Sequence, residues 1–138
     1  HQGLYDDVIY GLYGTQTTLA LADAVARLEG GHRTVVTASG TAAITLALTA
    51  HLNAGDHLLV ADTVYGPTRR FCTDVLARFG VQVEFFDPVD PAALETRVQS
   101  QSRVIYMESP GSQTFEVIDL QRVVPIARRH GLTTIMDN

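Results

Sequence analysis

Four groups in this chain have the residue types and placement to do chemistry. Ser39-Gly40-Thr41 follows the short, β-branched and largely apolar stretch Thr34–Ala38, and Ile44 and Leu48 recur after it at helical spacing. A strand that passes through a small polar turn into a helix leaves backbone N–H groups at the positive end of the helix dipole. Such a site can hold a phosphate. The turn carries neither a Gly-Lys-Ser/Thr ending nor a GxGxxG pattern, and a capped helix without a ligand accounts for the same residues. Tyr65 offers a flat ring just past an apolar run, Ser112 sits in a Ser-Pro-Gly-Ser loop, and Asp137 closes another apolar run. For Asp137 the alternative is a strand-end aspartate that bonds its own turn.

The elements that must position these groups follow from periodicity and caps. Residues 1–17 show no sustained period and read as an extended N-terminal arm; residues 18–138 read as one partial α/β domain. Thr18 is predicted to cap a helix over 19–28, stopped by Gly30-Gly31. A strand over 34–38 and a helix to about 52 come next, then a strand over 58–61 and a helix from Tyr65-Gly-Pro-Thr68 to about 79. A strand over 81–86, a short helix to about 98 and a strand over 104–107 follow. Asp119 opens a helix to His130, in which Pro125 is expected to produce a kink or a split, and the last strand covers 132–136. Alternating strands and helices imply a mostly parallel sheet with right-handed crossovers and helices on both faces. In such sheets ligands collect beyond the carboxyl ends of the strands. That rule places Ser39-Gly40-Thr41, Asp62–Tyr65, Glu108–Ser112 and Asp137 along one edge. A phosphate cradle, an aromatic plane and a buried carboxylate together suit a phosphorylated heteroaromatic cation, and pyridoxal 5′-phosphate (PLP) is such a group.

Composition narrows the classes. With 138 residues and 46% hydrophobic content the chain can bury a real core. A net charge of −5 argues against nucleic acid or an anionic membrane as partner. No apolar run is long enough to span a bilayer and no signal peptide is read, which points to the cytoplasm. Cys72 stands alone in a helical pattern and reads as a buried thiol in a reducing compartment. The five histidines fall in no metal-ligand spacing, so no metal is expected. All ten basic residues are arginine, and there is no lysine. The chain begins at His1 and stops at Asn138 directly after an apolar run, so both ends read as cut.

Tyr10-Gly-Leu-Tyr-Gly-Thr15, Leu28-Glu-Gly-Gly31, Ser39-Gly-Thr-Ala-Ala43, Val64-Tyr-Gly-Pro67, Glu108-Ser-Pro-Gly-Ser112 and Met136-Asp-Asn138 occur in order along essentially the whole chain. In these motifs it resembles the PLP-binding domain of the Cys/Met-metabolism transsulfuration enzymes, an aspartate-aminotransferase-like (PLP fold type I) large domain. Within the family the Glu-Ser-Pro-Gly-Ser form resembles cystathionine β-lyases most closely. The resemblance implies that the amides of Gly40 and Thr41 bind the cofactor phosphate, that Tyr65 stacks on the pyridine ring, and that Asp137 pairs with the ring nitrogen. It implies that Tyr10 reaches the phosphate of the neighbouring subunit of a homodimer or homotetramer, and that Ser112 stands where relatives often have an asparagine near the ring oxygen. Leu12 departs from the pattern, because the family usually has there an arginine that makes a second cross-subunit phosphate contact. The Schiff-base lysine is expected downstream of Asn138, so no catalytic residue is assigned within these 138 residues and the chain alone is predicted inactive.

The activity implied for the intact protein is a PLP-dependent carbon–sulfur lyase of methionine biosynthesis, cleaving cystathionine by β-elimination to homocysteine, pyruvate and ammonia. A γ-synthase, γ-lyase or methionine γ-lyase shares the same cofactor residues. From another class, a catalytically dead homologue that binds PLP or a partner is compatible with the missing lysine. A generic nucleotide-binding α/β domain has no nucleotide motif to support it.

Overall fold

The structure is a computed structural model and describes residues 10–138. Those residues form two compact units, one ending at Ala38 and the other spanning Ser39–Asn138. The first unit holds a short 3-10 turn, Gly11–Tyr13, and helix α1, Gln16–Leu28. The helix starts earlier than the predicted Thr18 cap. Thr15 is the N-cap: its Oγ1 accepts the Thr18 N–H at 3.3 Å, and Thr18 Oγ1 accepts the Thr15 N–H at 2.8 Å. Thr18 thus serves as the third helical residue of a reciprocal capping box.

The second unit contains α2 (Gly40–Thr49), β1 (His57–Ala61), α3 (Gly66–Arg70), β2 (Gln82–Phe86), α4 (Pro91–Thr96), β3 (Ser102–Glu108), α5 (Leu120–His130) and β4 (Thr133–Asp137). Helix α3 runs on through a π turn, Phe71–Leu76, and a 3-10 turn, Ala77–Phe79. Gly80 at φ 86° and Gly131 at φ 64° end the two long helices in the left-handed conformation that glycine adopts without strain. Pro125 does not split α5. It removes a single ladder bond, and Val123, Ile126 and Ala127 still bury the same face.

The strands form a four-stranded sheet in the order β2-β1-β3-β4, and each neighbouring pair is parallel. Burial follows that order. β1 is buried along its whole length, as a strand flanked on both sides should be. β2 and β4, at the edges, are only partly buried. The core gathers Leu58, Leu59, Val60, Val104, Ile105 and Met107 from the central strands, with Leu48, Cys72, Leu94 and Val123 from the helices. Cys72 is fully buried, as expected, and burial pushes its thiol up to about 11.

The strand expected over 34–38 is not formed. Val35 and Val36 are exposed. A β-strand exists only as one side of a ladder, and none of the four strands pairs with this segment. The sheet therefore has four strands where the sequence suggested five.

Candidate active site

All four strands end at an acid. β1 runs into Asp62, β2 into Asp87, β3 ends at Glu108 and β4 at Asp137. Across the carboxyl edge the order is Asp87, Asp62, Glu108, Asp137. Glu108 and Asp137 are register partners. Like charges directly opposite on neighbouring strands repel, and each of these carboxylates has its own donor. Glu108 Oε2 accepts the backbone N–H of Tyr65 at 2.7 Å. Asp137 Oδ2 lies 3.4 Å from the Tyr106 hydroxyl, which donates to it. Tyr106 is 1% exposed. Burial, and then the Asp137 carboxylate, push its phenol well above the ordinary tyrosine range, so it stays a neutral donor. Asp137 itself is half-buried, and its Oδ1 has no hydrogen-bond partner among the described residues.

The start of α2 leaves two donors open. Ser39 Oγ accepts the Ala42 N–H at 3.1 Å, and the Ser39 carbonyl accepts the Ala43 N–H at 3.0 Å. The N–H groups of Gly40 and Thr41 then have no intrahelical partner. Both residues are exposed, and a Cβ on Gly40 would meet nothing within 4 Å. α2 packs against β4 and α3, the elements that carry Asp137 and follow Tyr65. Tyr65 is the N-cap of α3, makes no side-chain cap bond and is 47% exposed. Its ring is free to meet a planar ligand.

Ser112 is held by its backbone. Its N–H donates to the Thr63 carbonyl at 2.9 Å, and Gly111 next to it packs so closely on Thr63 that a Cβ would come within 2.8 Å of the Thr63 Cβ. The loop follows a cis Ser109–Pro110 bond, and Ser109 Oγ accepts the Ile118 N–H at 3.0 Å. A cleft of about 550 Å³ opens beside the ends of β1 and β2, lined by Asp62, Thr63, Arg69, Asp87 and Glu116 among others. Neither Gly40, Thr41 nor Asp137 lines it. Arg69 is engaged there, donating to the Asp62 carbonyl at 2.6 Å and lying 3.9 Å over the Phe85 ring.

Gly40, Thr41, Tyr65, Ser112 and Asp137 thus belong to one compact unit. Tyr10 does not. It lies in the first unit, 62% exposed, just ahead of the turn that carries Leu12, itself 81% exposed. The sequence put Glu108 at this edge without its partner, and it did not single out Tyr106. Glu108 opens the Glu-Ser-Pro-Gly-Ser stretch, but its partner is 43 positions away in sequence. Tyr106 carries a legible signal: it is the one hydroxyl in the run Val104–Met107 and lies two residues before Glu108, hence on the same strand face.

The donor set fits PLP. Open N–H groups suit its phosphate, an exposed ring beyond β1 suits its face, and a carboxylate oxygen without a partner suits a protonated ring nitrogen.

Comparison with known proteins agrees. The profile of the family described as "Cys/Met metabolism PLP-dependent enzyme" matches residues 2–138. The chain belongs to that family. A relative from Rhizobium johnstonii, named a putative cystathionine β-lyase, is 46% identical over 129 residues, which is 94% of this chain and 33% of the relative. A solved structure of cystathionine γ-lyase from Lactobacillus plantarum, complexed with L-serine, superposes with a TM-score of 0.91 at 32% identity, covering 100% of this chain and 36% of that one. A putative O-acetylhomoserine (thiol)-lyase from Campylobacter jejuni, which carries a pyridoxyl-lysine monophosphate, gives a TM-score of 0.86 at 29% identity over 91% of this chain and 31% of that one. The chain spans about a third of the length of these relatives. No helix among the described residues is long and apolar enough to cross a membrane.

Proposed function

We propose that the protein containing this chain is a PLP-dependent carbon–sulfur lyase that acts on cystathionine by β-elimination, giving homocysteine, pyruvate and ammonia. The observation that carries this reading is Asp137: one oxygen bonded by Tyr106, the other open, on a strand packed against the helix whose first amides are unpaired. The Glu108-Ser-Pro-Gly-Ser112 stretch and the name of the Rhizobium relative favour the β-lyase among family members.

In this reading Gly40 and Thr41 donate their N–H groups to the cofactor phosphate, Tyr65 lies against the pyridine face, and Asp137 Oδ1 accepts the ring N–H. PLP, when bound, supplies an electron sink for negative charge at the substrate α-carbon. The part of Asp137 is to keep a proton on the ring nitrogen, and Tyr106 holds the carboxylate in place while it does so. Ser112 is assigned near the ring oxygen. Tyr10 serves the phosphate of a neighbouring subunit in a homodimer or homotetramer. With Leu12 in place of the usual arginine, that subunit contact has one charge-assisted partner fewer. The lysine that takes the substrate α-proton comes from outside these residues, since the chain has none. The reading places the enzyme in the cytoplasm.

The test is product analysis. Full-length protein supplied with PLP and cystathionine is expected to release pyruvate and homocysteine in equal amounts. Release of 2-oxobutyrate and cysteine would replace β- by γ-elimination, the reading that similarity to the Lactobacillus γ-lyase supports. A visible PLP band with no product from any sulfur amino acid would favour a cofactor-binding homologue without turnover.

A further inference from the structure

Helix α3 starts without a cap of its own. Its N-cap residue is Tyr65, whose side chain makes no cap bond, and its third residue, Thr68, is 1% exposed and beside Tyr106. In a capping box the side chain of the third helical residue, commonly glutamate or glutamine and at α1 Thr18, reaches back to the N-cap N–H. Here the same bond comes from another element: Glu108, at the end of β3, accepts the Tyr65 N–H at 2.7 Å. The next residue, Ser109, donates its N–H to the Asp137 carbonyl at 3.0 Å.

We propose that Glu108 is a positioning residue for Tyr65, fixing the backbone from which the stacking ring projects. Resting on the PLP reading above, it sets how the ring lies over the cofactor. Because Glu108 and Ser109 are adjacent, the backbone of the stacking residue and that of the ring-nitrogen partner are both anchored to the end of one strand. Their separation is then fixed by β3, not by the loops that precede α3 or follow β4.

The experiment uses the full-length protein with PLP removed and restored, comparing Glu108→Leu, Glu108→Gln, Tyr65→Ala and the double variant Tyr65→Ala/Glu108→Leu. PLP affinity and the visible circular dichroism of the bound cofactor are read in each. Leucine fills the space but accepts nothing, whereas glutamine keeps an acceptor oxygen. Glu108→Leu is expected to weaken PLP binding by about fivefold to tenfold, the equivalent of one lost cap, and to diminish the dichroic band. Glu108→Gln stays within about twofold of the parent. In the Tyr65→Ala background Glu108→Leu adds no further loss, because both residues act through one ring. A loss from Glu108→Leu that is equally large without the Tyr65 ring overturns the proposal. So does an unchanged affinity and band in Glu108→Leu, or an equal loss in Glu108→Gln. If the leucine variant does not fold, Glu108→Asp, whose carboxylate stops one methylene short of the Tyr65 N–H, takes its place under the same criteria. Tyr65→Ala leaving both readouts unchanged would instead overturn the stacking reading, and this proposal with it.

Discussion

At Gly111 an added Cβ would lie 2.8 Å from the Thr63 Cβ and 2.9 Å from its Oγ1, distances that no side chain tolerates without movement. The Gly111 N–H also donates to the Glu116 carbonyl, and the Ser112 N–H to Thr63, so the loop cannot simply back away. Gly111→Ala is expected to cost about 1–3 kcal/mol, read as a lower midpoint in urea unfolding, with Thr63→Gly restoring most of it. At this scale the sequence showed which residues are chemically capable but not whom they face. Asp137 was legible as a carboxylate ending an apolar strand, yet its tie to Tyr106 depends on a diagonal across two strands whose register is a tertiary fact. The glycine of the Ser-Pro-Gly-Ser loop was visible too. Its reason, the Thr63 side chain, was not.

The glycine stops at Gly80 and Gly131 were the most readable features of the elements, and strand pairing the least. Ser39, in the small polar turn ahead of the helix, is the N-cap of α2. Ser39→Ala removes the acceptor for the Ala42 N–H and is expected to cost about 1 kcal/mol of stability. Thermal unfolding of the full-length protein without PLP measures it, and an unchanged midpoint would count against the cap. At α1 the run Thr15-Gln-Thr-Thr18 offers several candidate caps, and only the reciprocal bonds between Thr15 and Thr18 decide among them. Thr34–Ala38 has strand composition throughout, but strand formation depends on a partner that local sequence does not name. The π turn was hidden in a spacing. Thr68, Cys72 and Leu76 are all buried and four residues apart, whereas an α-helix drifts by about 40° over each such step. The wide turn absorbs the drift and keeps all three inside.

The molecule's sheet has two unlike ends. At the amino edge His57, 1% exposed, has its Nδ1 2.7 Å from Ser102 Oγ, which also accepts the Gln99 N–H at 2.9 Å. Glu84 faces the other ring nitrogen at 3.4 Å and is itself held by Arg97 at 2.7 Å; Asp56 and Arg103 pair nearby at 3.5 Å. Burial lowers the His57 pKa below the ordinary histidine value, with Glu84 opposing. On acidification the unfolded chain takes up this proton first. The contribution is therefore intact above about pH 6.5 and is lost as pH falls through the lower folded-state value. Urea midpoints of the full-length protein are expected to fall below about pH 6.5, and His57→Gln should flatten that limb. An identical slope in the variant would assign the acid sensitivity elsewhere. The carboxyl edge is another matter. Its four acids, spaced by about 4.8 Å from strand to strand, lie in one unit with an open helix N-terminus. The edge therefore has an electrical polarity, and its field is felt over roughly a Debye length of 8–10 Å. A molecule that is anionic at one end and cationic at the other is turned to its bound orientation before any contact forms. On electrostatic grounds a ligand carrying both signs has a favoured orientation at such an edge before its shape is tested.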